Sequence, residues 1–119
     1  MKPTYFYISN DELVRVGPKP KSVIEAIEQA IVKWSILKDR SSEGELVHDG
    51  GVDTCCLCIM FRNRACRGCP IGSPGCDGTP YYDYRVAIRH CDAGLASLAA
   101  IAEIRFLNRL LKKVVANGG

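Results

Sequence analysis

Long apolar runs and histidines are scarce in this sequence, and both shortages limit what the protein can be. In 119 residues, no apolar stretch approaches the roughly 20 residues that a membrane-spanning helix needs. Only two histidines are present, and the sequence has no Gly-rich phosphate loop, no H-E-x-x-H motif and no Ser/His/Asp set. We therefore expect neither a membrane protein nor an enzyme.

The first residues also lack the apolar core and the small-residue cleavage site of a secretory signal. The composition, 47% hydrophobic and 24% charged, is typical of ordinary soluble proteins and argues against a disordered chain. A chain of this length usually forms one hydrophobic core. The sequence predicts a cytoplasmic protein with a single domain over residues 1–119.

Residues 1–20 are predicted to form a β-hairpin. Aromatic or β-branched runs at 5–8 and 13–16 flank the turn-forming sequence 9–12. A Gly-Pro-Lys-Pro sequence follows and ends the second strand, because proline cannot donate a hydrogen bond to a strand ladder.

Two main helices are predicted, over residues 22–39 and 92–116. Ser22 and Glu25 have the spacing of a capping box, and Asp92 is a candidate N-cap for the second helix. The second helix is apolar over more than half of its circumference, so it is either the central core helix or partly the face of a homodimer. Its first stripe contains Leu95, Leu98, Ala99, Ala102, Phe106, Leu110 and Val114.

Six of the seven cysteines lie between positions 55 and 76, where they form two C-x-x-C pairs. The two-residue gap lets both thiolates of a pair face one ion, and two pairs complete the tetrahedron that Zn²⁺ prefers. Since residues 49–84 have little apolar material, we predict an irregular metal-stapled loop there and an α+β fold overall. The candidate metal ligands are Cys55, Cys58, Cys66, Cys69 and Cys76.

Five candidate cysteines compete for four positions around the metal. The preferred set is the two C-x-x-C pairs, with Cys76 as a substitute ligand or a neighbouring thiol. Cys56 lies inside the first pair, and its side chain is expected to point away from the metal. The dipeptide His90-Cys91 is a further candidate.

Three other uses of the cysteines are considered. Disulfides are disfavoured by the odd number of cysteines and by the reducing cytosol. An iron–sulfur cluster is suggested by the dipeptide Cys69-Pro70, although the ferredoxin spacing C-x2-C-x2-C is absent. A redox dithiol would need only one pair, at the start of a helix that follows a strand.

The basic excess of the sequence is localised. The stretch from Cys55 to Cys91 carries five arginines and two acidic residues, and so accounts for the whole net charge of +3. The simpler interpretation is that arginines offset the charge of −2 that four thiolates leave around Zn²⁺. The alternative is a nucleic-acid interface with stacking tyrosines, and its candidate residues are Arg62, Arg64, Arg67, Arg85 and Tyr82.

The sequence resembles a group of small cysteine-rich proteins of phages, prophages and bacteria. The shared pattern is D-G-G-x-D-x-C-x-L-C from Asp49, then C-x-G-C-P from Cys66 and G-C-x-G-T-P-Y from Gly75, preceded by a helix that carries Trp34. The shared pattern covers roughly residues 30 to 84 and includes all five candidate ligands. At the position of Cys56, members of the group tend to have alanine. The resemblance implies metal binding and a phage context, without a settled activity.

These observations together predict a small zinc-stapled accessory protein of phage type. We expect it to act by binding a macromolecular partner, namely a host protein, as a host-takeover or anti-defence factor. One alternative is a nucleic-acid-binding zinc-knuckle protein. The other is an iron–sulfur redox or sensor protein.

Overall fold

A computed structural model of the chain describes residues 5–17, 19–49 and 79–118. Within these ranges the fold consists of an antiparallel hairpin and three helices, in agreement with the α+β class. The predicted metal-stapled loop lies outside the described residues except at its two ends. The elements are β1 (Phe6–Ser9), β2 (Glu12–Arg15), α1 (Val23–Ser42), α2 (Pro80–Arg89) and α3 (Ala93–Ala116).

The hairpin has a two-residue turn at Asn10 and Asp11. Both residues have positive φ angles, 52° and 60°, as the tight turns that match the twist of paired strands require. Since the turn is shorter than the predicted one, both strands lie one residue closer to it than expected. Phe6 of β1 and Leu13 of β2 are buried and attach the hairpin to the core.

Residues 43–49, which follow α1, form no helix and no named strand, but their end pairs with the hairpin. The Leu13 N–H donates to the His48 carbonyl and the His48 N–H donates to the Asp11 carbonyl, each at 2.8 Å. Val47 is buried beside them. These contacts place Asp49, where the cysteine-rich segment begins, next to the helical core.

The predicted first helix is confirmed, and it runs three residues past the predicted end at 39. Its N-cap is Ser22, whose hydroxyl accepts from the Glu25 N–H at 3.1 Å. Near the other end, the buried Ser41 donates its hydroxyl to the Leu37 carbonyl at 2.7 Å. The buried apolar residues of α1 are Ala26, Ile27, Ala30, Trp34 and Leu37.

Helix α2 was missed, because the loop was predicted to continue to residue 84. The Thr79 hydroxyl accepts from the Tyr81 N–H at 3.3 Å, and Pro80 occupies the first turn, where its missing N–H costs nothing. Tyr84 and Ala87 are buried on the inner face. The described residues therefore contain three helices instead of two.

The second predicted helix is confirmed as α3, which begins one residue after the predicted start and ends at the predicted residue. Asp92 is its N-cap and accepts from the Leu95 N–H at 3.0 Å. The first apolar stripe of α3 is not wholly buried, because Leu95 and Leu98 at the start are 54% and 63% exposed. Of the two predicted alternatives, packing in the core of one chain therefore does not account for the whole stripe. Helix α3 packs against both α1 and α2. Small side chains let helix backbones approach closely, which explains why alanines are buried here instead of the leucines. The buried residues are Ala96, Ala99, Ala100, Glu103, Leu107 and Leu110.

No helix in the described ranges is long and apolar enough to cross a membrane.

Candidate functional site

The predicted metal ligands, Cys55, Cys58, Cys66, Cys69 and Cys76, lie outside the described residues, as do Arg62, Arg64 and Arg67. The structure does describe both chain ends that lead into this segment. They meet at five residues, which we call the anchor cluster: Lys33, Trp34, Asp49, Tyr81 and Tyr84.

Three aromatic rings form the apolar part of the anchor cluster. The Trp34 ring meets the Tyr84 ring edge-on, with centroids 5.0 Å apart, and meets the Tyr81 ring edge-on at 5.9 Å. Trp34 and Tyr84 are buried, at 4% and 0% exposure. Edge-to-face contacts of this kind stabilise aromatic pairs beyond the area that they bury. They attach the start of α2 to the middle of α1.

A buried ion pair forms the polar part of the anchor cluster. The Lys33 ammonium lies 3.5 Å from an Asp49 carboxylate oxygen, and the two side chains are 2% and 13% exposed. The same ammonium lies 5.2 Å from the centroid of the Trp34 ring and 5.9 Å from that of Tyr81. A lysine is almost never buried unless its charge is paired. Lys33 therefore contacts the residues on both sides of the cysteine-rich segment.

Tyr84 makes a second connection between the two chain ends. Its hydroxyl donates to the Val47 carbonyl at 2.6 Å, inside the core. Burial, and then the negative charge of Asp49, raise the pKa of the Tyr84 phenol above its ordinary value. The phenol therefore stays protonated and keeps donating this hydrogen bond over the whole neutral range.

The anchor cluster holds together the two ends of a long segment. Twenty-nine residues, including six cysteines, separate Asp49 from Thr79. Closing a flexible loop costs entropy that grows with its length. The helices already bring Asp49 and Tyr81 to one lysine. The folded helices therefore close the ends of the segment, and metal binding does not have to supply that part of the loop-closure entropy.

The described candidates for a nucleic-acid interface lie on α2. Tyr82 is 44% exposed, and Arg85 and Arg89 are exposed at positions i+3 and i+7, so the three residues share one face of the helix. The Arg85 guanidinium carbon also lies 5.8 Å from the centroid of the Tyr81 ring. Tyr84, which is also on α2, is buried and has no accessible stacking face.

The further candidate pair, His90-Cys91, lies in the turn between α2 and α3. Both residues are exposed, and Cys91 has a positive φ of 55°. Among the residues that the structure describes, no three His, Cys, Asp or Glu side chains are grouped closely enough to hold a metal ion. In the structure, His90 and Cys91 therefore form a surface turn.

Lys33 was not predicted as a site residue, and Asp49 was noted only as the first residue of the pattern shared with the cysteine-rich group. A signal was present, because Gln29 and Lys33 occupy positions on the same helix stripe as Ala26, Ala30 and Leu37. A polar residue within an apolar stripe indicates a buried partner. Which residue would meet Lys33 could not be predicted, since Asp49 is 16 positions away.

The chain was compared with protein-family models, with the curated proteins and with the solved structures, and it matches none of them.

Proposed function

We propose that this protein is a small zinc-stapled binding protein. Cysteines of the segment 55–76 hold one Zn²⁺, and the metal gives shape to a segment that has little apolar material of its own. The observation that carries the proposal is the anchor cluster, in which Lys33 contacts both Asp49 and Tyr81. A scaffold that fixes both ends of a cysteine-rich segment leaves its thiolates less chain entropy to overcome on binding metal.

Metal capture in such a segment is coupled to its folding. Thiolates must lose their protons to bind, so affinity falls as the pH is lowered. A site closed by four thiolates has no open position for substrate, which favours a structural role for the ion over a catalytic one.

Single cysteine variants test the ligand set. We expect Cys58→Ser and Cys69→Ser to lower zinc affinity by at least an order of magnitude, as measured by competition with a chromophoric chelator. Cys56→Ser and Cys91→Ser are matched controls that change the same atoms outside the preferred set. Equal zinc affinities for all four variants would contradict the proposal. A fifth variant, Cys76→Ser, shows whether that thiol is a ligand.

The biological role that we propose is binding of a macromolecular partner, a host protein in the phage context that the resemblance implies. Leu95 and Leu98 support a protein partner, because they are one turn apart on α3 and both more than half exposed. Large apolar side chains of this kind are what protein partners bury. A host-takeover or anti-defence role would follow from the identity of that partner.

The leucine pair can be tested without disturbing the core. Leu95→Ser/Leu98→Ser should abolish capture of a specific host protein, whereas Val115→Ser, an exposed apolar residue at the other end of α3, should leave it unchanged. If the double variant still captures the host protein, these leucines are not part of the interface. A concentration-dependent mass in light scattering that the double variant abolishes would identify a second copy of the chain as the partner.

Nucleic-acid binding is the second candidate function, and the α2 face favours it. Tyr82, Arg85 and Arg89 combine a stacking ring with two phosphate-binding side chains. Tyr82→Ala should then weaken binding to single-stranded DNA, as measured by fluorescence anisotropy. An unchanged affinity would remove this face from consideration. Iron–sulfur chemistry remains the alternative for the cysteines, and the colour of the protein distinguishes it from zinc binding.

A further inference from the structure

The C-terminal part of the chain exposes basic residues without acidic partners. Residues 79–118 contain six Lys or Arg and three Asp or Glu. All six basic residues are exposed, and none forms an ion pair within the described parts of the chain. They are Arg85, Arg89, Arg105, Arg109, Lys112 and Lys113.

The nearby acidic residues do not balance this charge. Along α3 the only acidic residue is Glu103, which is 3% exposed and faces the core. Asp92 is engaged at the N-cap of α3, where it accepts from the Leu95 N–H. Asp83 lies on α2, in its first turn. The exposed surface of α3 is therefore cationic along its whole second half.

Three of the basic residues form a single line, which we call the basic strip: Arg105, Arg109 and Lys112. Their spacing of four and three residues places them on one face of the helix. This face is opposite the buried one, which contains Glu103, Leu107 and Leu110. The strip is about 10.5 Å long, at 1.5 Å for each residue of helix.

Charges on α1 are arranged differently. Lys38 and Arg40 lie 3.6 and 3.2 Å from the carboxylates of Asp39 and Glu45, and Lys33 pairs with Asp49. Residues 5–49 carry a net charge of −2, whereas residues 79–118 carry +3. The two described halves of the protein thus differ in the sign of their net charge. Within the described residues, only the C-terminal half has three exposed cations without ion pairs on one helix face.

We propose that the basic strip binds the phosphate backbone of nucleic acid, without sequence preference. Duplex DNA carries one negative charge for about every 1.7 Å of its axis, so a duplex segment as long as the strip carries roughly six phosphates. Arginine is suited to this contact because its planar guanidinium can bind a phosphate through two hydrogen bonds. Lys113, beside the strip, adds a further cation.

The surroundings of the strip favour nucleic acid over an acidic protein. Protein interfaces usually centre on an aromatic or aliphatic anchor that is buried by the partner, and charged residues are depleted there. The exposed neighbour between the strip residues is Asn108, a polar side chain. The exposed Leu98 is two turns away from Arg105, about 10.5 Å along the axis. The exposed Val115 follows Lys112 by one turn, so it lies beyond the end of the strip and not at its centre. A strip of cations without an apolar centre matches a backbone of phosphates.

This inference goes beyond the proposed zinc-stapled role and does not depend on it. The strip lies on α3, which packs on α1 and α2 through described residues. It also differs from the α2 candidates, whose contribution depends on the stacking of Tyr82. Loss of zinc binding in the cysteine variants and loss of DNA binding in strip variants are therefore separate results.

The test measures the salt dependence of DNA binding by the full chain. A short fluorescein-labelled duplex of mixed sequence is titrated at several salt concentrations between about 50 and 200 mM. The variant Arg105→Gln/Arg109→Gln/Lys112→Gln removes the strip, and Lys19→Gln/Lys21→Gln/Lys38→Gln removes the same charge from the other half. All six residues are surface positions, so both proteins should fold, which circular dichroism checks.

We expect the slope of log K against log salt to fall in magnitude by about 2.7 in the strip variant, since each lost phosphate contact contributes about 0.9. The control variant should keep a slope close to that of the wild type. No binding by the wild type at about 50 mM salt, or equal losses in the two variants, would overturn the proposal. Poly-glutamate that competes as well as DNA of equal charge would also overturn it and indicate an acidic protein.

Discussion

The ring of Trp34 meets the ring of Tyr84 edge-on, with centroids 5.0 Å apart and planes at 86°. Trp34 lies in the middle of α1, and Tyr84 lies in α2, just after the cysteine-rich segment. The contact therefore links the parts of the chain before and after that segment. Together with the Lys33–Asp49 pair, it makes this cluster the connection between the helical core and the cysteines.

Truncation of the tryptophan should remove much of the stability. We expect Trp34→Ala to lower the free energy of unfolding by about 3 to 5 kcal/mol, because it leaves a large cavity in the core. Val32→Ala, at an exposed position two residues earlier, should change it by less than about 0.5 kcal/mol. Urea denaturation measures both values. If Trp34→Ala leaves too little folded protein, Trp34→Phe gives a measurable intermediate loss of stability. Equal free energies of unfolding for all these proteins would contradict the packing of Trp34 in the core.

Removal of the Tyr84 hydroxyl should change both stability and its pH dependence. Tyr84→Phe loses the hydrogen bond to Val47, worth about 1 kcal/mol. The raised pKa means that the folded state favours the protonated phenol, so its contribution is complete below the unfolded pKa of about 10 and is lost as the pH rises further. The wild type should therefore lose stability above about pH 10 more steeply than Tyr84→Phe.

The exposed Tyr82 is the matched control for this experiment, since Tyr82→Phe makes the same chemical change on the surface. Its alkaline unfolding curve should overlie that of the wild type. Parallel curves for wild type and Tyr84→Phe would show that the buried phenol is not responsible for the alkaline loss.

The Lys33–Asp49 pair should behave as a coupled unit. Lys33→Met leaves a mostly buried carboxylate without this cation, and we expect a loss of about 3 kcal/mol in the free energy of unfolding. Asp49→Asn should also destabilise, and the double variant should lose less than the sum of the single losses. Lys38→Met, which breaks an exposed pair with Asp39, should cost less than about 1 kcal/mol. Strict additivity of the two buried substitutions would contradict direct coupling.

Much of the helical architecture could be predicted from local sequence. Ser22 and Asp92 each cap a helix because their side-chain oxygens accept an N–H three residues later, a contact that depends only on neighbouring residues. The hairpin was predicted for a similar reason, but its turn was predicted too long. Asn10 and Asp11 both adopt positive φ, and the pattern of apolar residues alone does not reveal this.

Helix α2 was not predicted, and the burial of the start of α3 was left open, because both depend on tertiary contacts. The structure places the ring of Tyr84 on α2 against that of Trp34, 50 residues earlier, and nothing local in the sequence indicates this contact. Leu95 and Leu98 fit a helical stripe as well as the buried alanines do, and only the packing of α3 on two other helices decides between them. The Lys33–Asp49 pair is likewise a tertiary contact. The metal ligands remain a prediction from the spacing of the cysteines.

The metal content of anaerobically purified protein tests the central claim most directly. Elemental analysis and the visible spectrum are recorded on the same sample, with the variant Cys58→Ser/Cys69→Ser alongside. We predict about one zinc for each chain, no visible absorption, and loss of the zinc in the variant. Iron with visible absorption, or a chain that carries no stoichiometric metal when folded, would contradict the account.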